Sequence, residues 1–124
     1  MKKQLDFLCV GFQKSGTTTL DAILRKYDQI VLPEIKETQY FHWKYKYCDS
    51  LNVFWNRFFD LNESGSFGVV EPEFDFFPYE IYRTFGKDVK LIFIMRNPIE
   101  RLYSYFRMEL KLGNRWIYPY YDKK

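Results

Sequence analysis

The chain has 124 residues, enough for one small domain, and its 47% hydrophobic and 28% charged residues exclude a disordered chain. A net charge of +3, scattered along the sequence, suits an anionic ligand and is too weak for a nucleic-acid footprint. Two cysteines, Cys9 and Cys48, make no disulfide framework, and no run of 18 apolar residues is present to span a membrane. The charged Met1-Lys2-Lys3 start leads into too short an apolar run for a signal peptide, so a cytoplasmic location is expected.

Leu5 to Val10 is a short apolar run ending at Gly11, the pattern of a buried parallel strand. From Thr18 a helical period begins, with Leu20, Ile23, Leu24 and Tyr27 on one stripe. Ile30 to Leu32 reads as a second strand stopped by Pro33, and Glu37 to Trp43 as an extended or irregular segment. Leu51 to Leu61 is aromatic-rich and predicted helical, and Phe67 to Glu71 is a strand closed by Pro72. Pro78 to Phe85 reads as a helix with Gly86 at its end. Val89 to Met95 has the clearest pattern of a buried strand. After it, Asn97-Pro98 opens a helix whose apolar stripe is Ile99, Leu102, Tyr103, Phe106 and Leu110. Strands alternating with helices predict an α/β fold with a mainly parallel sheet. The 13 Phe and 11 Tyr fill a small core or line an acceptor groove; both readings stay open.

Gly11-Phe12-Gln13-Lys14-Ser15-Gly16-Thr17-Thr18 matches the skeleton of a nucleotide-triphosphate loop, with Thr17 where that loop has its lysine and Lys14 three residues earlier. Backbone amides around Gly16 and the start of the following helix can still cradle an anion. A sulfuryl group carries less charge than a terminal phosphoryl, so one lysine and several hydroxyls suffice without a metal.

Lys14-Ser15-Gly16-Thr17-Thr18-Thr19 resembles the 5′-phosphosulfate loop of the sulfotransferase family, closest to its heparan-sulfate and bacterial carbohydrate-type branch, whose donor is 3′-phosphoadenosine 5′-phosphosulfate. Arg96-Asn97-Pro98-Ile99-Glu100-Arg101-Leu102-Tyr103-Ser104 is similar to the family segment that binds the donor's 3′-phosphate, which implies Arg96 and Ser104 as its ligands. Arg96 would then sit at the carboxyl end of a strand, where ligands of open α/β sheets collect. Ser104 lies roughly 9 Å along the helix that starts at Pro98. Arg101 reads as a surface or helix-packing charge.

Transfer of a sulfuryl group needs a base at the acceptor and stabilisation of the leaving phosphate. Leu32 to Phe41 resembles the family segment after the second strand, and the resemblance places the general base on Glu37, with Lys14 stabilising the leaving phosphate. His42, the one histidine, is the rival base. One stretch departs from the family: Glu71-Pro72-Glu73-Phe74-Asp75 stands where heparan-sulfate enzymes carry a lysine, and these acids would repel a strongly anionic glycan.

The resemblance implies a P-loop-type three-layer fold, a hydroxyl or amine acceptor on a small molecule or glycan, and no metal. It also implies a C-terminal continuation that this chain lacks. Residues 1–124 are therefore expected to be the N-terminal portion of a sulfotransferase domain, completed by a further segment or by a partner. The alternatives are a kinase-like P-loop phosphotransferase and a truncated, non-catalytic nucleotide-binding module.

Overall fold

A computed structural model of the chain describes residues 3–41 and 51–113. His42, Cys48 and the tail aromatics Trp116, Tyr118, Tyr120 and Tyr121 lie outside them.

The elements follow in the order β1 (Phe7–Gly11), α1 (Thr17–Leu24), β2 (Ile30–Val31), α2 (Leu51–Phe58), β3 (Ser66–Val70), a 3-10 turn (Phe74–Phe76), α3 (Pro78–Phe85), β4 (Lys90–Phe93) and α4 (Pro98–Leu112). The four strands form one sheet in the order β2-β3-β1-β4, and every pairing is parallel. The fold is thus the α/β architecture that alternating strands and helices predict. Among the described residues no helix is long and apolar enough to cross a membrane.

Strand order decides which helices share a face. The step from β1 to β2 runs one way along the sheet, whereas β2 to β3 and β3 to β4 run the other way. Right-handed crossovers therefore put α2 and α3 together on the face opposite α1. The core agrees. Phe54, Trp55 and Phe58 of α2 and Ile81 and Phe85 of α3 pack on Leu8 and Val10 of β1 and Phe67 and Val69 of β3. Phe54 is fully buried, with ring centroids of Tyr40, Phe85 and Phe58 at 4.9, 5.1 and 5.5 Å. Burying one such ring contributes about 1.5–3 kcal/mol. Of the two readings of the aromatic content, these residues take the core one.

Neighbouring strands approach closely at Gly68. A Cβ on Gly68 would lie 2.0 Å from the ring of its β1 partner Phe7, so any side chain there would force that ring to move.

Local signals set several boundaries. The α3 range is the predicted one, and Asn97 Oδ1 caps α4 by accepting from Ile99 N and Glu100 N at 3.0 and 3.3 Å. Three stripes read differently in three dimensions. The Val89–Met95 run is not a buried strand: β4 is one of the two edge strands of the sheet, and Leu91, Phe93 and Met95 are exposed. Continuous apolar runs mark strands covered on both faces, but among the described residues nothing covers this edge. On α4, Ile99, Leu102 and Tyr103 likewise face outward, and the buried side chain is Glu109. Helix α1 stops at Leu24, so Tyr27 lies beyond it, and its buried residues are Thr17 and Asp21.

Candidate active site

The switch in crossover direction puts a crevice at the carboxyl end of β1, between β3 and β4. The loop from Gly11 to Gly16 leaves the strand there. Gly16 takes φ 97°, left-handed backbone that glycine adopts without a steric cost, and turns the chain into α1 at Thr17. Lys14 is also left-handed, at φ 62°. A non-glycine residue stays in that region only where its surroundings hold it.

The bracing is visible. Phe12 N donates to Ile94 O at 3.0 Å and Ile94 N to Gly11 O at 2.8 Å, so the loop's first residues extend the β1–β4 ladder. Arg96 Nη1 donates to Lys14 O at 3.2 Å, and Arg101 Nε to Gln13 O at 2.9 Å. The Arg101 guanidinium also lies 5.4 Å from the Phe12 ring centroid. From the β3 side, Gln13 Nε2 donates to Glu73 Oε1 at 3.4 Å. Arg101 thus does more than the surface charge expected of it: it grips the loop's backbone. Its partner lies 88 residues away, so no local spacing signals the contact.

Two cavities meet at Lys14. One, of about 350 Å³, is lined by Lys14, Gly16, Thr17 and Thr18 of the loop, by Arg96 and Ser104 of the β4–α4 segment, and by Lys36 and Glu37. The other, of about 570 Å³, runs along α4 past Ser104 to Arg107 and Lys111. Three segments singled out in the sequence therefore border one space. Ser15 is buried, and its Oγ is a buried polar atom that finds no hydrogen-bond partner among the described residues, in a loop otherwise braced by hydrogen bonds. Thr19 is exposed and lines neither cavity. Among the described residues no three His, Cys, Asp or Glu side chains converge as a metal site requires.

On the other rim, Glu37 sits at φ 54° with its Oε1 2.6 Å from Lys36 Nζ. Gln39 is left-handed too, at φ 52°. Behind them lies Glu71, at the carboxyl end of β3. Its carboxylate is almost fully buried, and Oε2 accepts from Thr38 Oγ1 at 3.1 Å and from Gln39 N at 3.0 Å. Burial pushes its pKa up to about 7. The two hydrogen bonds act against that rise, and the charge of Glu37 adds to it. The three acids take up different positions. Glu71 points into the protein, Glu73 holds Gln13, and Asp75 is half-buried with its carboxyl raised by burial. Cys9 is buried, and burial raises its thiol likewise.

A strand, a glycine-containing loop and a helix N-terminus, with an arginine and a serine from the neighbouring strand–helix unit, meet at the carboxyl edge of a parallel sheet in an α/β domain, a geometry suited to holding an anion. The family is equally definite. Residues 4–120 match the sulfotransferase domain, and the chain belongs to that family. It is 31% identical over 111 residues to the membrane-associated sulfotransferase kil1 of Dictyostelium discoideum. The match takes in 86% of this chain and 23% of that protein, so the chain spans about a quarter of its relative's length. No solved structure matches the chain.

Proposed function

We propose that the cavity beside Lys14 binds 3′-phosphoadenosine 5′-phosphosulfate, and that the protein transfers its sulfuryl group to a hydroxyl or amine of an acceptor, a carbohydrate being the leading candidate. The observation that carries this reading is the meeting of the loop, the Arg96–Ser104 pair and Glu37 around one space of about 350 Å³. Lys14, Ser15, Gly16, Thr17 and Thr18 hold the 5′-phosphosulfate through backbone amides, hydroxyls and one ammonium, while Thr19, exposed in the first turn of α1 and outside both cavities, stays clear of it. Arg96 and Ser104 take the 3′-phosphate, the guanidinium supplying charge-assisted hydrogen bonds. Family membership favours sulfotransfer over the phosphotransferase alternative.

In the reaction the acceptor oxygen or nitrogen attacks sulfur, forming the new bond as the sulfur–oxygen bond to the 5′-phosphate breaks. The electron pair of the broken bond goes to the phosphate oxygen, where Lys14 stabilises it. The acceptor's proton goes to the Glu37 carboxylate. Lys36 holds one oxygen of Glu37, Oε1, which leaves Oε2 to take the acceptor's proton.

The test is transfer of labelled sulfate from the donor across a panel of carbohydrate and small-molecule acceptors. Glu37→Gln should lower turnover by about 10²–10⁴-fold while donor affinity is kept. Wild-type turnover in that variant would remove Glu37 from the mechanism. Donor binding without transfer to any acceptor would instead make this chain a nucleotide-binding module.

A further inference from the structure

Glu71 has no part in the mechanism so far, yet it is the most deeply buried carboxylate of the described residues. A buried carboxylate is costly unless it is well hydrogen-bonded, and one oxygen of this one is spent on two adjacent residues, Thr38 and Gln39. These directly follow Glu37. Both Glu37 and Gln39 are left-handed, a conformation that costs about 1–3 kcal/mol at non-glycine residues and persists only where neighbours impose it. Thr38 Oγ1 closes the arrangement by accepting from Tyr40 N at 3.4 Å, and the Tyr40 and Phe41 rings are fixed in the aromatic core. The turn carrying Glu37 is therefore clamped between Glu71 on one side and the core on the other.

We propose that Glu71 is a positioning residue, whose carboxylate fixes the 37–39 turn and so holds Glu37 at the rim of the cavity beside Lys14. The proposal rests on the reading of Glu37 as the base, and it makes a separate claim about how that base is held. Glu71 does not line the cavity and touches no reacting atom. The ionisable groups on the elements around it are Lys36 and Glu37 on the clamped turn, Cys9 on β1, and Glu73 and Asp75 just after β3. Of these, Glu37 is the one whose charge acts on it.

Three variants of the full chain test it by amide hydrogen exchange at Gln39 and by steady-state kinetics. Glu71→Gln keeps an acceptor oxygen for both donors, whereas Glu71→Ala removes it. Thr38→Val takes away one donor and leaves the carboxylate, and it decides the matter if the alanine variant does not fold. Exchange at Gln39 should speed up at least tenfold in Glu71→Ala and to a smaller extent in Thr38→Val, and Glu71→Gln should restore protection. The kcat should fall on the order of 10–100-fold in Glu71→Ala with the donor KM unchanged, as displacing a reacting group by about 1 Å can do, and Glu71→Gln should recover most of it. In the wild type the Gln39 amide shift should titrate near neutral pH, and in Glu71→Gln it should not. Unaltered exchange at Gln39 in both Glu71→Ala and Thr38→Val would overturn the proposal. So would a donor KM that rises while kcat holds. If Glu37→Gln keeps full turnover but the exchange results hold, the base assignment has failed and the clamp stands.

Discussion

The two rims of the cavity are built on different principles. On the side proposed for the donor, the loop from Gly11 to Gly16 is held mostly through its backbone: a ladder with Ile94, and arginines donating to the carbonyls of Gln13 and Lys14. The bonds come from several elements, and no single one dominates. On the acceptor side, the turn that carries Glu37 depends on one buried carboxylate. A distributed brace fails gradually when one bond is lost, whereas a single clamp fails at once. The clamp also brings a titratable group into the interior that the brace lacks.

The largest effect that would sharpen this contrast is on stability against pH. Glu71 has a folded-state pKa of about 7, raised above its ordinary value of 4.5, so between those values the folded chain binds more protons than the unfolded one. Its contribution is fully present below pH 4.5 and is lost as pH rises through 7, a loss of roughly 3 kcal/mol at most. Denaturant unfolding should show Glu71→Gln gaining on the wild type by up to that amount between pH 4.5 and 8. Parallel curves would mean that Glu71 is not strained by burial. A smaller effect is expected across the cavity. Arg101→Ala removes one of several bonds to the loop and should weaken donor binding by about 1 kcal/mol, or about fivefold. Loss of all donor binding in that variant would break the picture of a distributed brace.

The same contrast explains what was legible in the sequence. The glycine turn into α1, the Asn97-Pro98 helix start and the α3 boundaries are set by residues close in sequence, and local pattern is enough to find them. Three features depend on which elements become neighbours in space. The outer place of β4 follows from the sheet order, so its apolar run reads as buried when it is exposed. Glu71 lies 33 residues from Thr38, and an acid two residues before another acid reads as solvated charge until the turn folds over it. Arg101 acts across 88 residues. The roles of the predicted ligands follow from resemblance and chemistry, and the fold supplies a shared border on one cavity for all of them but Ser15 and Thr19.

The central claim is that this cavity recognises a nucleotide phosphorylated at both the 3′ and 5′ positions. Calorimetry against 3′-phosphoadenosine 5′-phosphate, adenosine 5′-phosphate and ATP with Mg²⁺ tests it most directly, in the wild type and in Arg96→Ala. The bisphosphate should bind tightest to the wild type, and its margin over adenosine 5′-phosphate should shrink by about 10–100-fold in Arg96→Ala, as expected for a lost charge-assisted phosphate contact. Tighter binding of ATP with Mg²⁺, or an Arg96→Ala variant that discriminates as well as the wild type, would contradict the account.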